Sequence, residues 1–150
     1  MMKNDRYNQQ ILQVLQADGR IANTELAEQV GLSASACLRR VQEMERQGVI
    51  TGYRAVVNQT SLGRGFVAYV SVGLGEHSTA SQRAFEKAVS QSEQVRECHN
   101  ITGAFEYLLR VETSDIQAYK QFHADILGAI AQVRTITTHV VMGSSKDERA

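Results

Sequence analysis

The sequence lacks several features that mark secreted, metal-binding and membrane proteins. Its 150 residues include no proline, no tryptophan and only two cysteines, and the formal net charge is zero. Cys37 and Cys98 lie far apart in the chain, which argues against a disulfide framework, a redox pair or a structural metal site. No run approaches the ~18 apolar residues of a membrane helix, and the polar N-terminus is not typical of a signal peptide. We therefore expect a cytoplasmic protein that uses no membrane, metal or cofactor.

The zero net charge also argues against a protein that coats nucleic acid without sequence preference. A neutral total can still conceal a local basic patch, and Arg39, Arg40, Arg46 and Arg54 lie close together in the sequence. The hydrophobic fraction of 43% is ordinary for a globular protein and excludes a disordered chain. Composition therefore leaves DNA binding open.

Two short helices separated by a glycine turn are predicted near the N-terminus. Leu26, Ala27 and Val30 form one apolar helical stripe. Gly31 ends that helix, because glycine accepts the left-handed conformation of a C-cap. Ser33 is the predicted N-cap of the next helix, since its hydroxyl can accept a hydrogen bond from a free backbone N–H.

The second of these helices has an apolar side and an arginine-bearing side. At ~100° per residue its apolar arc contains Cys37, Leu38, Val41 and Met44, which predicts a buried thiol at Cys37. Arg40 lies on the flank. The opposite side carries Ser35, Ala36, Arg39, Glu43 and Arg46. This arrangement is typical of a helix-turn-helix whose second helix contacts DNA.

Further elements complete a small N-terminal domain. A helix is predicted over residues 5–17, and Asn23-Thr24-Glu25 is predicted to cap the helix that follows. Strand-forming residues over 49–57 predict a short hairpin, the wing of a winged helix-turn-helix, and residues 58–65 have linker-like composition. The predicted organisation is a DNA-binding domain over residues 1–60, a linker over 61–65 and a second domain over 66–150.

Beyond the linker the hydrophobic periodicity becomes alternating, which predicts strands. Gly103-Ala104 is predicted as a tight hairpin turn. Strands are predicted over residues 66–74, 95–102, 105–112 and 133–142, and helices over 78–91 and 115–130. This β-α-β-β-α-β order is the ferredoxin-like arrangement. The predicted fold class is α+β, with an N-terminal winged helix-turn-helix and a C-terminal ferredoxin-like βαββαβ domain.

One face of such a sheet carries both helices, and the other face must also be covered where it is apolar. Val67, Tyr69, Ile101 and Val141 are predicted to make that second face partly apolar. A second copy of the chain is the simplest cover, so the pattern predicts a homodimer.

Motifs along nearly the whole chain resemble a known family. They are DGRI at residues 18–21, ELAEQVGLS at 25–33, CLRRV at 37–41, ERQGVITGYRAVVN at 45–58, ECHNITGAFEYLLRV at 97–111 and THVVM at 138–142. In their order and spacing they resemble the Lrp/AsnC, or feast/famine, transcription regulators of bacteria and archaea. The resemblance implies dimers that assemble into tetramers or octamers, and small effectors, usually amino acids, bound where dimers meet.

The chain departs from that family's pattern at several positions. Asn8 and Glu106 stand where aspartate is usual, Ala34 and Ala36 stand where prolines are common, and residues 131–133 lack the usual Pro-Gly. The alanines should be tolerated, because alanine is a good helix former. Glu106 moves a carboxylate by one methylene within the loop that the resemblance assigns to the effector.

The candidate DNA-binding residues lie in and around the second helix of the helix-turn-helix. Arg39 is expected to contact a guanine base or a phosphate, and Arg40 either a base or the backbone. Outside this motif both would be read as a solvated helix face. Ser33 and Ser35 could bind phosphate at the helix N-terminus, although Ser33 could equally be a plain N-cap. The remaining candidates are Ala36, Arg46, Arg54 and Arg20.

The candidate effector residues centre on the hairpin loop of the second domain. Backbone N–H groups of the Gly103-Ala104-Phe105 turn suit a ligand carboxylate, and Glu106 suits an ammonium group; Tyr107 follows. An ordinary hairpin turn with a surface glutamate is the alternative. The resemblance adds Asn100, Thr102, Asp125 and Thr138.

Taken together, these residues predict a sequence-specific DNA-binding transcriptional regulator that responds to a small effector, expected to be an amino acid. Its partners would be double-stranded DNA, the effector and further copies of the chain. One alternative is an effector-binding assembly module with residual DNA binding, against which the outward arginines argue. Another is an enzyme on a ferredoxin-like fold, but the sequence offers no nucleophile–base pair, carboxylate dyad or metal set.

Overall fold

The computed structural model describes residues 5–148. The chain divides into two compact units, and the boundary between them falls between Val56 and Val57. Within the described residues, no helix has the length and apolar character that crossing a bilayer requires.

The first unit contains three helices, α1 (Arg6–Ala17), α2 (Asn23–Val30) and α3 (Ala34–Arg46). The Asp5 carboxylate caps α1 by accepting from the Asn8 backbone N–H at 3.0 Å. Gly31 ends α2 with a φ of 74°, and the Ser33 hydroxyl caps α3 by accepting from the Ala36 N–H at 3.2 Å. The predicted glycine turn and serine cap are confirmed.

The core of this unit lies where the three helices meet. Its buried residues are Ile11, Leu26, Ala27, Val30, Cys37 and Met44, so the prediction of a buried Cys37 is confirmed. The prediction that Leu38 lies inside is wrong, because its side chain is 44% exposed. At ~100° per residue, Leu38 lies about a third of a turn away from the buried line through Cys37 and Met44.

Two local predictions in this unit are also wrong. Ala22, not Asn23, is the N-cap of α2, and the Asn23 carboxamide instead donates to the Ala34 carbonyl at 2.8 Å, which ties α2 to the start of α3. Residues 51–58 form no strand, so the predicted hairpin is absent from this segment. Its Tyr53 and Val56 are 52% and 73% exposed, and without a buried face a two-stranded ribbon has little to stabilise it.

The second unit is a four-stranded antiparallel sheet with helices on one face. Its elements are a 3₁₀ turn (Thr60–Leu62), β1 (Phe66–Leu74), α4 (Thr79–Ser90), β2 (Val95–Asn100), β3 (Tyr107–Thr113), α5 (Ile116–Phe122), a π-helical turn (His123–Leu127) and β4 (Val133–Val140). The strand order β2-β3-β1-β4 places β2 and β4 at the edges. This is the predicted ferredoxin-like arrangement. The 3₁₀ turn lies within the stretch whose composition resembled a linker.

The core of the sheet unit lies between the sheet and its helices. Alternate residues of β1 and β3, among them Val70, Val72, Leu109 and Val111, are fully buried there. Phe85 of α4 packs on Tyr107 with ring centroids 4.6 Å apart. The strand alternation that predicted this core is therefore confirmed.

The opposite, helix-free face of the sheet combines apolar and charged groups. Tyr69 is half-buried there, and its hydroxyl accepts from the Arg110 guanidinium at 3.2 Å. The Arg110 Nε also donates to Glu112 Oε1 at 3.0 Å, and both side chains are buried. The alternation predicted an apolar surface at Val67 and Tyr69 but not this buried ion pair.

The connection between β2 and β3 is a six-residue loop, not a tight turn. Asn100 and Tyr107 are the last paired residues, so the predicted turn at Gly103-Ala104 and the strand start at residue 105 are wrong. The Glu106 N–H donates to the Val72 carbonyl of β1 at 3.1 Å. That bond draws the end of the loop toward β1 and delays the start of β3.

Candidate DNA-binding and effector sites

The exposed surface of α3 is the first candidate site. Ser35, Leu38, Arg39 and Gln42 are all exposed and fall within an arc of ~100° when plotted at ~100° per residue; we call these residues the outer surface of α3. The Arg39 guanidinium has no hydrogen bond or ion pair with another described residue. A free guanidinium near the start of an exposed helix is able to contact a base edge or a phosphate.

Arg40 is engaged inside the helical unit. Its Nη1 lies 2.8 Å from Asp5 Oδ2 and 3.0 Å from Asn8 Oδ1, and its guanidinium lies 5.3 Å from the centre of the Tyr7 ring. The hydrogen bond from Arg40, followed by the one from the Asn8 backbone, lowers the pKa of the Asp5 carboxyl. Arg40 therefore connects α3 to the start of α1, a role that the sequence did not suggest.

The serines at the start of α3 differ in their contacts. Ser33 already uses its hydroxyl as the N-cap, which is the plainer of the two roles considered from the sequence. Ser35 is exposed and lies 3.4 Å from Ser33, hydroxyl to hydroxyl, and Ala36 is half-buried. Ser35 is thus the serine that lies on the outer surface.

The other arginines differ in how available they are. Arg46 donates to the Glu43 carboxylate at 2.9 and 2.6 Å, and this pairing lowers the pKa of Glu43. Arg20 and Arg54 are both exposed, the latter on the extended segment after α3. Arg46 would bring the negatively charged Glu43 to DNA with it, whereas Arg39 would bring no paired carboxylate.

The loop of residues 101–106 is the second candidate site. Gly103 has a φ of +115°, which L side chains rarely adopt, and a Cβ there would meet nothing within 4 Å. Thr102, Gly103 and Ala104 are exposed, and Phe105 is half-buried. The glycine therefore sets the backbone conformation of the loop and leaves open space beside it.

Glu106 is occupied by partners within the unit. Its Oε2 accepts from the Leu74 backbone N–H at 2.8 Å, and its Oε1 lies 2.8 Å from His77 Nδ1. The hydrogen bond from Leu74 is the main cause that lowers the pKa of Glu106. This carboxylate fixes the loop to the end of β1. It is therefore not the free group that the expected contact with a ligand ammonium requires.

Asn100 and Tyr107 support the base of the loop. The Asn100 carboxamide donates to the Glu106 carbonyl at 3.0 Å. The Tyr107 hydroxyl donates to Glu86 Oε1 at 2.6 Å, and burial, with this bond second, raises the pKa of Tyr107. Both residues stand near the loop as expected, but their polar atoms already have partners.

Thr138 and Asp125 lie apart from the loop. The Thr138 hydroxyl is hydrogen-bonded to the Tyr119 hydroxyl, which joins β4 to α5. Asp125 lies on the π-helical turn and lines a cavity of about 470 Å³ together with Arg64 and Phe122, a cavity to which the loop contributes no residue. Within one chain, the predicted effector residues therefore do not form a single site.

Comparison with known proteins identifies both units. Residues 4–51 match the family described as winged helix-turn-helix DNA-binding, and residues 67–150 match the Lrp/AsnC ligand binding domain. The leucine-responsive regulatory protein of Escherichia coli K12 is 39% identical over 142 residues, which cover 95% of this chain and 87% of that protein.

Solved structures agree with these matches. A transcriptional regulator from Neisseria meningitidis, solved as an L-Met complex, is 32% identical with a TM-score of 0.92, and the match covers 95% of this chain and 92% of that one. An AsnC family regulator from Agrobacterium tumefaciens is 34% identical with a TM-score of 0.90, and the match covers 95% and 93%. The resemblance drawn from the sequence is confirmed, and the family is one of regulators, not of enzymes. The chain belongs to the Lrp/AsnC family and is a DNA-binding transcriptional regulator that responds to a small effector.

Proposed function

We propose that the outer surface of α3 enters the major groove and that Arg39 reads a guanine there. The observation that carries this proposal is the free Arg39 guanidinium on an exposed helix face. Arg40 supports this role of α3, because its hydrogen bonds to Asp5 and Asn8 fix α3 to α1. Two copies would place two such helices on half-sites about one helical turn, ~10 bp, apart.

Selection from a random duplex library, followed by titration at two salt concentrations, tests this function. We expect an enriched palindromic site, tight binding to it, and a fall in affinity with salt because phosphate contacts release counterions. Absence of enrichment, or equal affinity for the selected and a scrambled duplex, would refute sequence-specific binding.

We further propose an amino acid as the effector, bound by the loop of residues 101–106. The solved complex of the Neisseria relative contains L-Met, and exposed backbone around Gly103 suits a carboxylate. Because Leu74 and His77 already engage Glu106, we assign Glu106 to holding the loop and not to the ligand ammonium. Asp125, Thr102 and the other residues carried over from the family remain proposed contributors, from this or a neighbouring copy.

A thermal-shift screen of free amino acids tests the effector proposal. A ligand that binds only the native state increases the free energy of unfolding by mass action, by about 2.7 kcal/mol at a ligand concentration of one hundred times its Kd. The melting temperature rises as a result. We expect one or a few amino acids to raise the melting temperature of the wild-type protein. The Gly103→Val variant should show no such rise. A shift that survives in the variant would remove the loop from the site.

A second copy of the chain is proposed to cover the helix-free face of the sheet, with dimers assembling further into tetramers or octamers. That face combines the half-buried Tyr69 and Leu108 with the ion pair of Arg110 and Glu112, whose opposite charges already lie together, so burial would leave neither charge without its counter-ion. Light scattering of Leu108→Glu tests it, and Ile116→Glu, a change at an exposed residue on α5, is the matched control. We expect Leu108→Glu to lower the mean particle mass and Ile116→Glu to leave it unchanged.

We also propose the domain limits that the sequence indicated, with the linker at residues 61–65 between the DNA-binding and effector-binding parts. A protein that binds chromosomal DNA must share its compartment, so we propose the cytoplasm.

A further inference from the structure

Leu38 is an apolar side chain in an unexpected place. It is the fifth residue of α3, in the half of the helix nearest the N-terminus, and it is 44% exposed. The α3 contribution to the core comes instead from the buried Cys37 and Met44. Among the described residues, Leu38 neither belongs to this core nor is one of the half-buried residues packed against it, so the core does not explain a leucine here.

Leu38 and Arg39 lie at the two ends of the ~100° arc of the outer surface, and Ser35 and Gln42 lie between them. Ser35 and Gln42 lie three residues before it and four residues after it, so they are its neighbours on the same helix face. Arg39 follows directly and extends the same exposed surface. Any duplex that Arg39 contacts in the major groove would meet Leu38 as well.

We propose that Leu38 contacts the C5-methyl group of a thymine and thereby reads an A·T pair beside the base that Arg39 reads. The thymine methyl is the apolar group that base pairs present in the major groove, and apolar side chains recognise it by contact. The polar Ser35 and Gln42 on either side suit phosphate or base-edge hydrogen bonds but not a methyl group. Leu38 thus adds a specificity that Arg39 alone does not supply. This inference rests on the proposed insertion of α3 into the major groove.

Substitution of deoxyuridine for thymine tests the contact, since it removes only the methyl group. A duplex selected by the wild-type protein would be prepared with each thymine replaced in turn. Dissociation constants would be measured for the wild type, Leu38→Ala and Leu62→Ala. Leu62 is another exposed leucine, at 56% against 44% for Leu38, and it lies outside the helix-turn-helix, so its variant controls for a lost surface leucine.

We expect one replacement in each half-site to weaken wild-type binding by about fourfold, the effect of one buried methyl group. Leu38→Ala loses the contact in both half-sites, so it should bind the thymine duplex about fifteenfold more weakly, and it should be indifferent to that replacement. Leu62→Ala should behave as the wild type does. An unchanged melting temperature for Leu38→Ala would show that the protein remains folded.

Other outcomes would overturn the proposal in distinguishable ways. If the wild type is indifferent to every replacement, or if Leu38→Ala remains as sensitive as the wild type, Leu38 does not read the methyl group. If Leu38→Ala changes the mass of the assembly and not its DNA affinity, Leu38 contacts protein. If no duplex is enriched at all, the proposed DNA-binding function itself fails.

Discussion

The outer surface of α3 and the loop of residues 101–106 use their charged groups in opposite ways. On α3 the Arg39 guanidinium is exposed and has no partner among the described residues, while the adjacent Arg40 secures the helix from behind. In the loop the only carboxylate, that of Glu106, is committed to Leu74 and His77. One region leaves its charged group exposed, whereas the other uses its charged group to hold the loop in place.

A charged side chain can be assigned to binding where internal partners do not already engage it. In both regions a charged side chain sits within a motif associated with a ligand, but only at Arg39 is that charge still available. Charge-assisted hydrogen bonds to internal partners are strong, so a ligand would have to displace them at Glu106 and Arg40.

The largest effect is expected for Arg40→Ala. The change removes a charge-assisted hydrogen bond to the buried Asn8 side chain, which costs about 1.5–3 kcal/mol. We expect faster hydrogen exchange in α1 and α3 and weaker binding to every duplex. Normal exchange together with weakened binding to the selected site alone would make Arg40 a DNA contact instead.

Arg39→Ala should weaken binding to the selected duplex by about 1–3 kcal/mol, the contribution of a bidentate base contact. Arg46→Ala is the matched control, because Arg46 is also on α3 but is paired with Glu43. Fluorescence anisotropy with selected and scrambled duplexes measures both variants. An equal loss on the two duplexes would reduce Arg39 to a phosphate contact.

Gly103→Ala should disturb the loop through its backbone alone, since the added methyl group meets no atom within 4 Å. A non-glycine residue at this φ costs about 1 kcal/mol or more, so we expect weaker effector binding by calorimetry with little change in DNA affinity. Gly143→Ala, which also meets no atom and lacks the positive φ, is the control. Equal effector affinity in both variants would show that the loop conformation does not matter to the ligand.

The smallest effect is expected for Glu106→Gln. The pKa of Glu106 is lowered in the folded protein, so its ionised form stabilises the fold at pH values above its ordinary pKa of about 4.3. That stabilisation is lost as the pH falls through the lowered pKa. The wild type should therefore melt at a higher temperature than the variant at pH 7, and this gap should narrow in acid. A gap that does not narrow as the pH falls would point to lost packing, not lost charge.

Much of the fold could be predicted because its signals are local. The turn at Gly31, the cap at Ser33 and the strand alternation around Val70 each depend on a few adjacent residues. The β-α-β-β-α-β order then leaves few arrangements for the sheet. The outward direction of Arg39 followed from helical periodicity alone.

The errors arose where distant residues decide the outcome. Arg40 finds Asp5 thirty-five positions away, and Glu106 finds the Leu74 N–H thirty-two positions away. Neither pairing has a sequence spacing that would reveal it. Leu38 was misplaced for a different reason, since an apolar residue at the border of a helical stripe is compatible with either side.

The two edge strands of the sheet limit how copies of this chain can join. Arg96, Glu97 and His99 line β2, Arg134 and His139 line β4, and the pairing register shifts beside each edge, near Val95 and near Gly73. Ionic side chains and irregular spacing discourage strand-to-strand addition of another molecule. The association that we propose through the sheet face would therefore stay closed, because these borders resist growth into open-ended fibres.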